Sequence, residues 1–337
     1  MVRTGIYPRK LQFIFSLVLA ISSLAFNQYS SFAAANVKPL SSIPSRSEVV
    51  QATQKSSTEF RKPQVSTPPL SDPLRPFVSV NPNFAVMDRR GCYGDTVSTE
   101  VPSDFMVRCT YGDLTSTKLL LLIGDSNANM WLPAIDTFGY INHVKVLALT
   151  RPGCSPWSRE WIPQSIMFFG TNERVCTAWR DVAVTKGLSA NPSLVIPVGI
   201  DMPVPSSTPT SALTASIQAM VTRIGISRTL FIEPPPRFSS GAAMAGCVSM
   251  RPTALTLCEV QSRALSSNPI TLTFNQLSTR LKIPIVTTKP YFCGTIFCPI
   301  FITMRSTSWL VYADGNHITP TYSQLLGKSL DIGKYIK

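Results

Sequence analysis

Short runs of Leu, Ile and Val recur along the chain, at 119–123, 144–149, 194–198, 229–232 and 283–287, each bounded by turn residues. A run that is apolar at consecutive rather than alternate positions suits a strand buried on both faces, and such strands belong to parallel sheets covered by helices. Segments with helical periodicity lie between them, including 128–138, 210–224 and 268–281, and another begins at about Pro320. Strand, helix and strand in repetition predict an α/β fold around a central, mostly parallel sheet.

The first part of the chain reads differently. Arg3, Arg9 and Lys10 precede an apolar run at 11–26, and Ala33-Ala34-Ala35 follows before Asn36. A basic start, an apolar centre and small residues at the end form the pattern of a secretory signal peptide, so 1–35 is assigned that role, with an uncleaved anchor as the alternative. The run is shorter than the roughly 20 apolar residues of a membrane span. Residues 36–82 are rich in Ser, Thr, Pro, Gln and Lys without clear periodicity. Such a segment buries too little apolar surface to offset its ordering entropy and predicts a disordered tether, leaving 83–337 as the folded domain.

Cysteine usage agrees with export. All eight cysteines (Cys92, Cys109, Cys154, Cys176, Cys247, Cys258, Cys293 and Cys298) lie beyond the signal-like segment. An even number of thiols reaching an oxidising compartment is expected to pair. Sequential pairing, 92 with 109, 154 with 176, 247 with 258 and 293 with 298, is the expectation, although sequence alone does not establish connectivity. A zinc site is the rival reading, but no CxxC pair is present and neither histidine sits beside a cysteine pair, so no metal and no cofactor is predicted. The net charge is +13, and removal of 1–35 takes three basic residues and no acid, leaving +10. Basic residues scattered singly, with no recognition motif, point to retention near anionic envelope polymers rather than to nucleic acid.

The chemistry begins in "KLLLLIGDSNANMWLPAI", where an apolar strand runs into Gly124-Asp125-Ser126 and then into a helix. Ligands of open α/β sheets bind at the carboxyl ends of strands. The N–H groups of a helix's first turn favour negative charge there, including the oxyanion of acyl transfer. Ser126 is therefore a candidate nucleophile, although Gly-Asp-Ser alone equally describes a helix cap. A nucleophilic serine needs a base, and the chain has two histidines, His143 and His317. His143 precedes the second strand, at the end of the sheet opposite to Ser126. His317 follows Asp314 by three residues, just before the terminal helix, and such a carboxylate can orient an imidazole. The same pair also fits a calcium-binding turn or a helix cap.

Gly-Asp-Ser after the first buried strand, with Asp-x-x-His before the last helix, resembles the SGNH (GDSL-like) hydrolase family. More closely, the chain is similar to the extracytoplasmic SGNH domains attached to bacterial acyltransferase-3 proteins. That likeness rests on "RRGC", "RCTYGD", "LLIGDSNANMWLPAI", "RPGCSPW", "VCTAW", "FCGTIFC" and "VYADGNHIT" in this order. The resemblance implies a flavodoxin-like three-layer sandwich and an exported serine esterase or O-acyltransferase acting on acyl groups of cell-envelope glycans, O-acetyl groups above all. It implies Ser126 as nucleophile, His317 as base and then acid, and Asp314 as the residue orienting it. Ser126 N–H and Gly153 would donate to the oxyanion. It also implies an acylated glycan as substrate and a membrane acyltransferase as the partner that supplies acyl groups.

Two positions depart from that pattern. The related domains commonly read Gly-Asp-Ser-His-Ala, and here Asn127 replaces the histidine, keeping a polar side chain that cannot titrate. Where the family uses Gly-x-Asn, this chain has Gly199-Ile200-Asp201, and an ionised Asp201 accepts hydrogen bonds but cannot donate them. A catalytically silent glycan-binding or envelope-interaction module is the alternative function that these departures and the basic charge suggest.

Overall fold

The computed structural model describes residues 43–59, 92–93, 99–160, 173–199, 210–236, 260–261, 269–295, 297–305, 307–312 and 317–336. The signal-like segment and the Cys247 and Cys258 pairing lie outside them.

The sheet is built from the apolar runs. Strands β1 (Thr110–Gly112), β2 (Leu119–Gly124), β3 (Lys145–Thr150) and β4 (Leu194–Val198) lie in the order β1-β3-β2-β4. β2 is parallel to both β3 and β4, and β1 is antiparallel at the edge. A parallel bridge from Val195 to Thr229, with Leu230 N–H donating to Val195 O, carries the sheet on to β5 (Phe231–Ile232). β5 pairs in parallel with β7 (Ile285–Val286), and the two-residue β6 (Val260–Gln261) between them in the chain pairs antiparallel with β8 (Phe297–Cys298). Taken in chain order, the five parallel strands run 2-1-3-4-5 across the sheet, which is the flavodoxin-like order with its topological switch between β2 and β4.

All six residues of β2 are buried. Leu120 and Leu122 face one core together with α3 (Ser126–Ile141), α8 (Pro320–Leu326) and a hairpin of β9 (Phe301–Met304) with β10 (Thr307–Leu310). Leu119, Leu121 and Ile123 face the other core, made by α4 (Glu173–Ser189), α5 (Thr210–Ile224) and α6 (Pro269–Leu281), while α2 (Phe105–Arg108) and α7 (Lys289–Phe292) are single turns. The period-2 alternation of a strand thus divides one continuous apolar run between two helix layers, and the molecule is the expected three-layer α/β sandwich. Burying each leucine contributes about 2 kcal/mol.

The tether expectation is corrected for its middle part. Residues 46–59 form helix α1 (Arg46–Glu59), docked on the β9 side of the domain. The helix is too polar to announce itself by an apolar stripe, and it buries Val49 with Thr53, Ser56 and Ser57. Its adhesion is through hydrogen bonds to backbone groups. Ser57 Oγ accepts from Phe297 N–H (3.0 Å) and Ser56 Oγ from Thr303 N–H (3.3 Å). Gln54 Oε1 accepts from Thr295 N–H at 3.1 Å, and Thr53 donates to Tyr291 O at 3.3 Å. A β-carbon on Gly294 would lie 2.2 Å from Ser57 Cβ, so only glycine admits this approach. One signal of the helix was present in the sequence: Ser45 and Glu48 form a capping box, with Ser45 N–H donating to Glu48 Oε2 at 2.7 Å and Glu48 N–H to Ser45 Oγ at 3.4 Å.

Three expected disulfides are present, Cys92–Cys109, Cys154–Cys176 and Cys293–Cys298. Among the described residues no helix is long and apolar enough to cross a membrane, and no cluster of three metal-ligating side chains occurs.

Candidate active site

The end of β2 determines where Ser126 lies. At Gly124 the chain turns with φ +152°, and a β-carbon there would fall 1.6 Å from Val198 O of β4. Only glycine lets the two strands close at this point. Asp125, fully buried, then caps α3: its carboxylate accepts from Asn127 N–H at 2.8 Å, from Asn127 Nδ2 at 3.1 Å and from Ser155 Oγ at 3.3 Å. The capping role therefore belongs to Asp125, and the Ser126 side chain is not the cap. Ser126 is the first helical residue, 8 % exposed, at the positive end of the α3 dipole.

His317 reaches this serine from the far end of the chain. Tyr312 bridges Ile318, Thr319 N–H donates to Val311 O, and the Thr319 hydroxyl both donates to Leu310 O (2.6 Å) and caps α8 by accepting from Tyr322 N–H (3.2 Å). α8 packs along α3, where Ser323 Oγ accepts Ala134 N–H at 3.3 Å. These contacts fix the backbone that follows His317, and His317 Nε2 lies 2.9 Å from Ser126 Oγ. A ring nitrogen at that distance can accept the hydroxyl proton.

A loop after β3 forms another wall. Gly153 has φ +68°, and no hydrogen bond from its N–H occurs among the described residues. The loop is braced from behind by buried charges. Arg159 Nη1 donates to Gly153 O (3.3 Å), Arg180 Nε donates to Ser155 O (3.0 Å), and Glu173 Oε1 accepts from both Arg180 Nη2 (2.8 Å) and Arg159 N–H (3.0 Å). Burial lowers the pKa of Arg159, while the Asp125 and Glu173 carboxylates oppose that shift. The Cys154–Cys176 disulfide ties the same loop to α4.

Sequence reasoning missed Tyr93. The Cys92–Cys109 disulfide and a parallel bridge from Tyr93 to Thr150 hold this residue beside the end of β3. Burial first, and then the Asp125 carboxylate, pushes its phenol pKa well above the ordinary value. Its position after a cysteine was the one available cue.

The structure thus brings Ser126 and His317 together and sets Asn127 against Asp125 rather than leaving its amide as a lone group. His143 is at the opposite end of the sheet, 84 % exposed, with Nδ1 2.9 Å from Asp113 Oδ2. Asp314 and Asp201 lie outside the described residues.

Comparison with known proteins agrees with this layout. The family model of the SGNH domain (fused to AT3 domains) matches residues 91–331. Among solved structures, the periplasmic domain of a lipopolysaccharide acetyltransferase from Salmonella ser. Paratyphi A aligns over 77% of this chain and 98% of its own, with a TM-score of 0.53 at 14% identity. A lipase/acylhydrolase from Enterococcus faecalis aligns over 65% of this chain and 97% of its own, with a TM-score of 0.36 at 13% identity. At 14% identity the likeness to the Salmonella domain is one of fold. No curated protein matches.

Proposed function

The chain belongs to the family of SGNH domains found fused to AT3 domains, and on that premise we propose that it is an extracytoplasmic serine esterase or O-acyltransferase acting on acyl groups of cell-envelope glycans. The observation that carries the reading is the 2.9 Å contact between Ser126 Oγ and His317 Nε2 at the carboxyl end of β2. Ser126 attacks the acyl carbonyl carbon while its proton passes to His317 Nε2. The oxyanion forms at the N-terminus of α3, where Ser126 N–H and Gly153 N–H are the donors, and collapse expels the alcohol, which takes the proton back from His317. Asp314 orients the imidazole. Water or a glycan hydroxyl then resolves the acyl-enzyme, and the choice between them separates hydrolysis from transfer.

The O-acetyl group and the glycan are supported by the name of the Salmonella neighbour, a lipopolysaccharide acetyltransferase, and by a basic chain suited to anionic envelope polymers. Three disulfides favour an oxidising compartment, and the signal-like segment 1–35 supplies the route. A membrane acyltransferase is the proposed source of acyl groups. The test is turnover of 4-nitrophenyl acetate and labelling by a fluorophosphonate. Ser126→Ala and His317→Ala are expected to abolish both in folded protein. No turnover and no label in folded wild type would leave the silent glycan-binding module as the better reading.

A further inference from the structure

The end of the sheet opposite to Ser126 carries a row of cations. β2 has six residues, so its two ends stand about 20 Å apart. Lys118 precedes β2 and Lys145 opens β3, in register with Leu119. Arg228 lies just before Thr229, which bridges β4, and Lys282 precedes Pro284, whose carbonyl accepts from Phe231 N–H at the start of β5. Arg280 stands in the last turn of α6. Across six strands, from β1 to β7, this edge is about 24 Å wide. The acids nearest to it are already engaged: Asp113 meets His143, Asp136 accepts from Gly112 N–H, Asp181 meets Arg223 and Asp331 meets Lys334. Among the described residues no ion pair reaches Lys118, Lys145, Arg228, Arg280 or Lys282. We propose that this edge is a binding surface for the anionic lipid headgroups of a membrane.

Two observations go beyond a solvated basic rim. Leu114, Tyr140 and Ile226, three of the six exposed large apolar side chains among the described residues, lie on the same edge, after β1, in the last turn of α3 and in the 3-10 turn before β5. A soluble polyanion would engage the cations and leave these groups in water, whereas a lipid surface takes up both. The other observation is backbone conformation. His143, Asn191 and Lys282 follow α3, α4 and α6 with φ of 54°, 53° and 58°. Glycine accepts this left-handed conformation freely and is the usual residue where a helix ends in this way. A histidine and a lysine at such places hold polar side chains at the edge against their backbone preference. Helix dipoles account for the cations that follow α5 and α6. They do not account for Lys118 and Lys145, which stand at the start of strands. A membrane held at this edge leaves Ser126 and His317 on the side away from the lipid.

This surface is independent of the acyl-transfer reading, and failure of one leaves the other standing. Residues 43–337 form a compact unit by themselves, so the chain from Asn36 onward, without the apolar run at 11–26, is sedimented with vesicles of phosphatidylcholine alone or mixed with phosphatidylglycerol. Binding to the mixed vesicles only, weakened by salt, is expected. A Lys or Arg near an anionic surface is worth about five-fold in partitioning, so Lys118→Gln, Lys145→Gln and Lys282→Gln together should weaken binding about 100-fold. Circular dichroism and melting temperature serve as controls for the fold. Lys282→Gly removes one charge and relieves the backbone, so it should bind about five-fold more weakly while melting no lower than wild type, a loss that no folding defect explains. Leu114→Ser with Ile226→Ser should weaken vesicle binding and leave retention on immobilised dextran sulfate unchanged. Absent binding to the mixed vesicles, or equal binding by the triple variant, overturns the proposal. Vesicle binding that ignores Leu114 and Ile226 and follows retention on dextran sulfate assigns the edge to a soluble polyanion and also overturns it.

Discussion

Replacing Glu173 by alanine should destabilise the domain by about 3–5 kcal/mol, the range for stranding one partner of a buried ion pair. The Arg180 and Glu173 side chains are 5 % and 3 % exposed and meet at 2.8 Å, so bulk water does little to screen them. At an effective dielectric near 20 their attraction is about 6 kcal/mol, and removing two ions from water costs several kcal/mol each, so the intact pair contributes roughly nothing net. Among the described residues Glu173 Oε2 has no hydrogen-bond partner, which lowers the value of the pair further. Single loss is costly because Arg180 stays buried, still bound to Ser155 O and Thr177 Oγ1 but without a counter-charge. Glu173→Leu combined with Arg180→Met should therefore lie within about 2 kcal/mol of wild type. Urea unfolding followed by far-UV circular dichroism measures all three variants. A cost below about 1 kcal/mol for Glu173→Ala, or a double variant as unstable as the sum of the singles, refutes the reasoning. The single variant should also slow turnover, because Arg180 and Glu173 brace the loop that carries Gly153.

Two further outcomes are expected. The Glu48 carboxylate is held down to about 2, first by the Ser45 N–H, then by Arg305 and the Ser45 hydroxyl. A folded-state value depressed below the unfolded value of 4.5 gives stability that is present above that pH and lost as the pH falls towards 2. Hydrogen-exchange protection of α1 should decline over that window before protection of β2 does, and unchanged protection of α1 at pH 2 would count against it. Full reduction should lower the melting temperature. The loops closed by the disulfides are 17, 22 and 5 residues long, for which chain entropy predicts about 3, 3 and 2 kcal/mol; an unaltered melt after verified reduction contradicts this.

Much of the frame was legible because a doubly buried strand is written as an unbroken apolar run. β2, β3 and β4 stand where "LLLLI", "VKVLAL" and "LVIPV" predict them, and α5 spans 210–224 as its periodicity indicates. The β9–β10 hairpin was not legible, since its two strands have four residues each and sit among Cys, Pro and charged residues. Helix α1 escaped for a different reason: it adheres through serine and threonine hydroxyls, and hydropathy does not register hydrogen bonds. At the site, Ser126 and His317 each stand beside a strong local signal, a strand end and a helix start. Tyr93 has no such neighbour. Its placement beside the end of β3 arises from one disulfide and one bridge, both contacts between segments distant from the catalytic motifs in sequence.

The six buried residues of β2 also constrain how this molecule can evolve. A strand with no solvent face has no neutral site for a polar side chain, and inserting one residue would exchange its two sets of leucines and turn the nucleophile away from its base. New specificity must therefore arise around a stationary serine, in the segments that carry Tyr93, the 153–160 loop and His317. The strand is the invariant axis on which any diversification of the surrounding loops would have to turn.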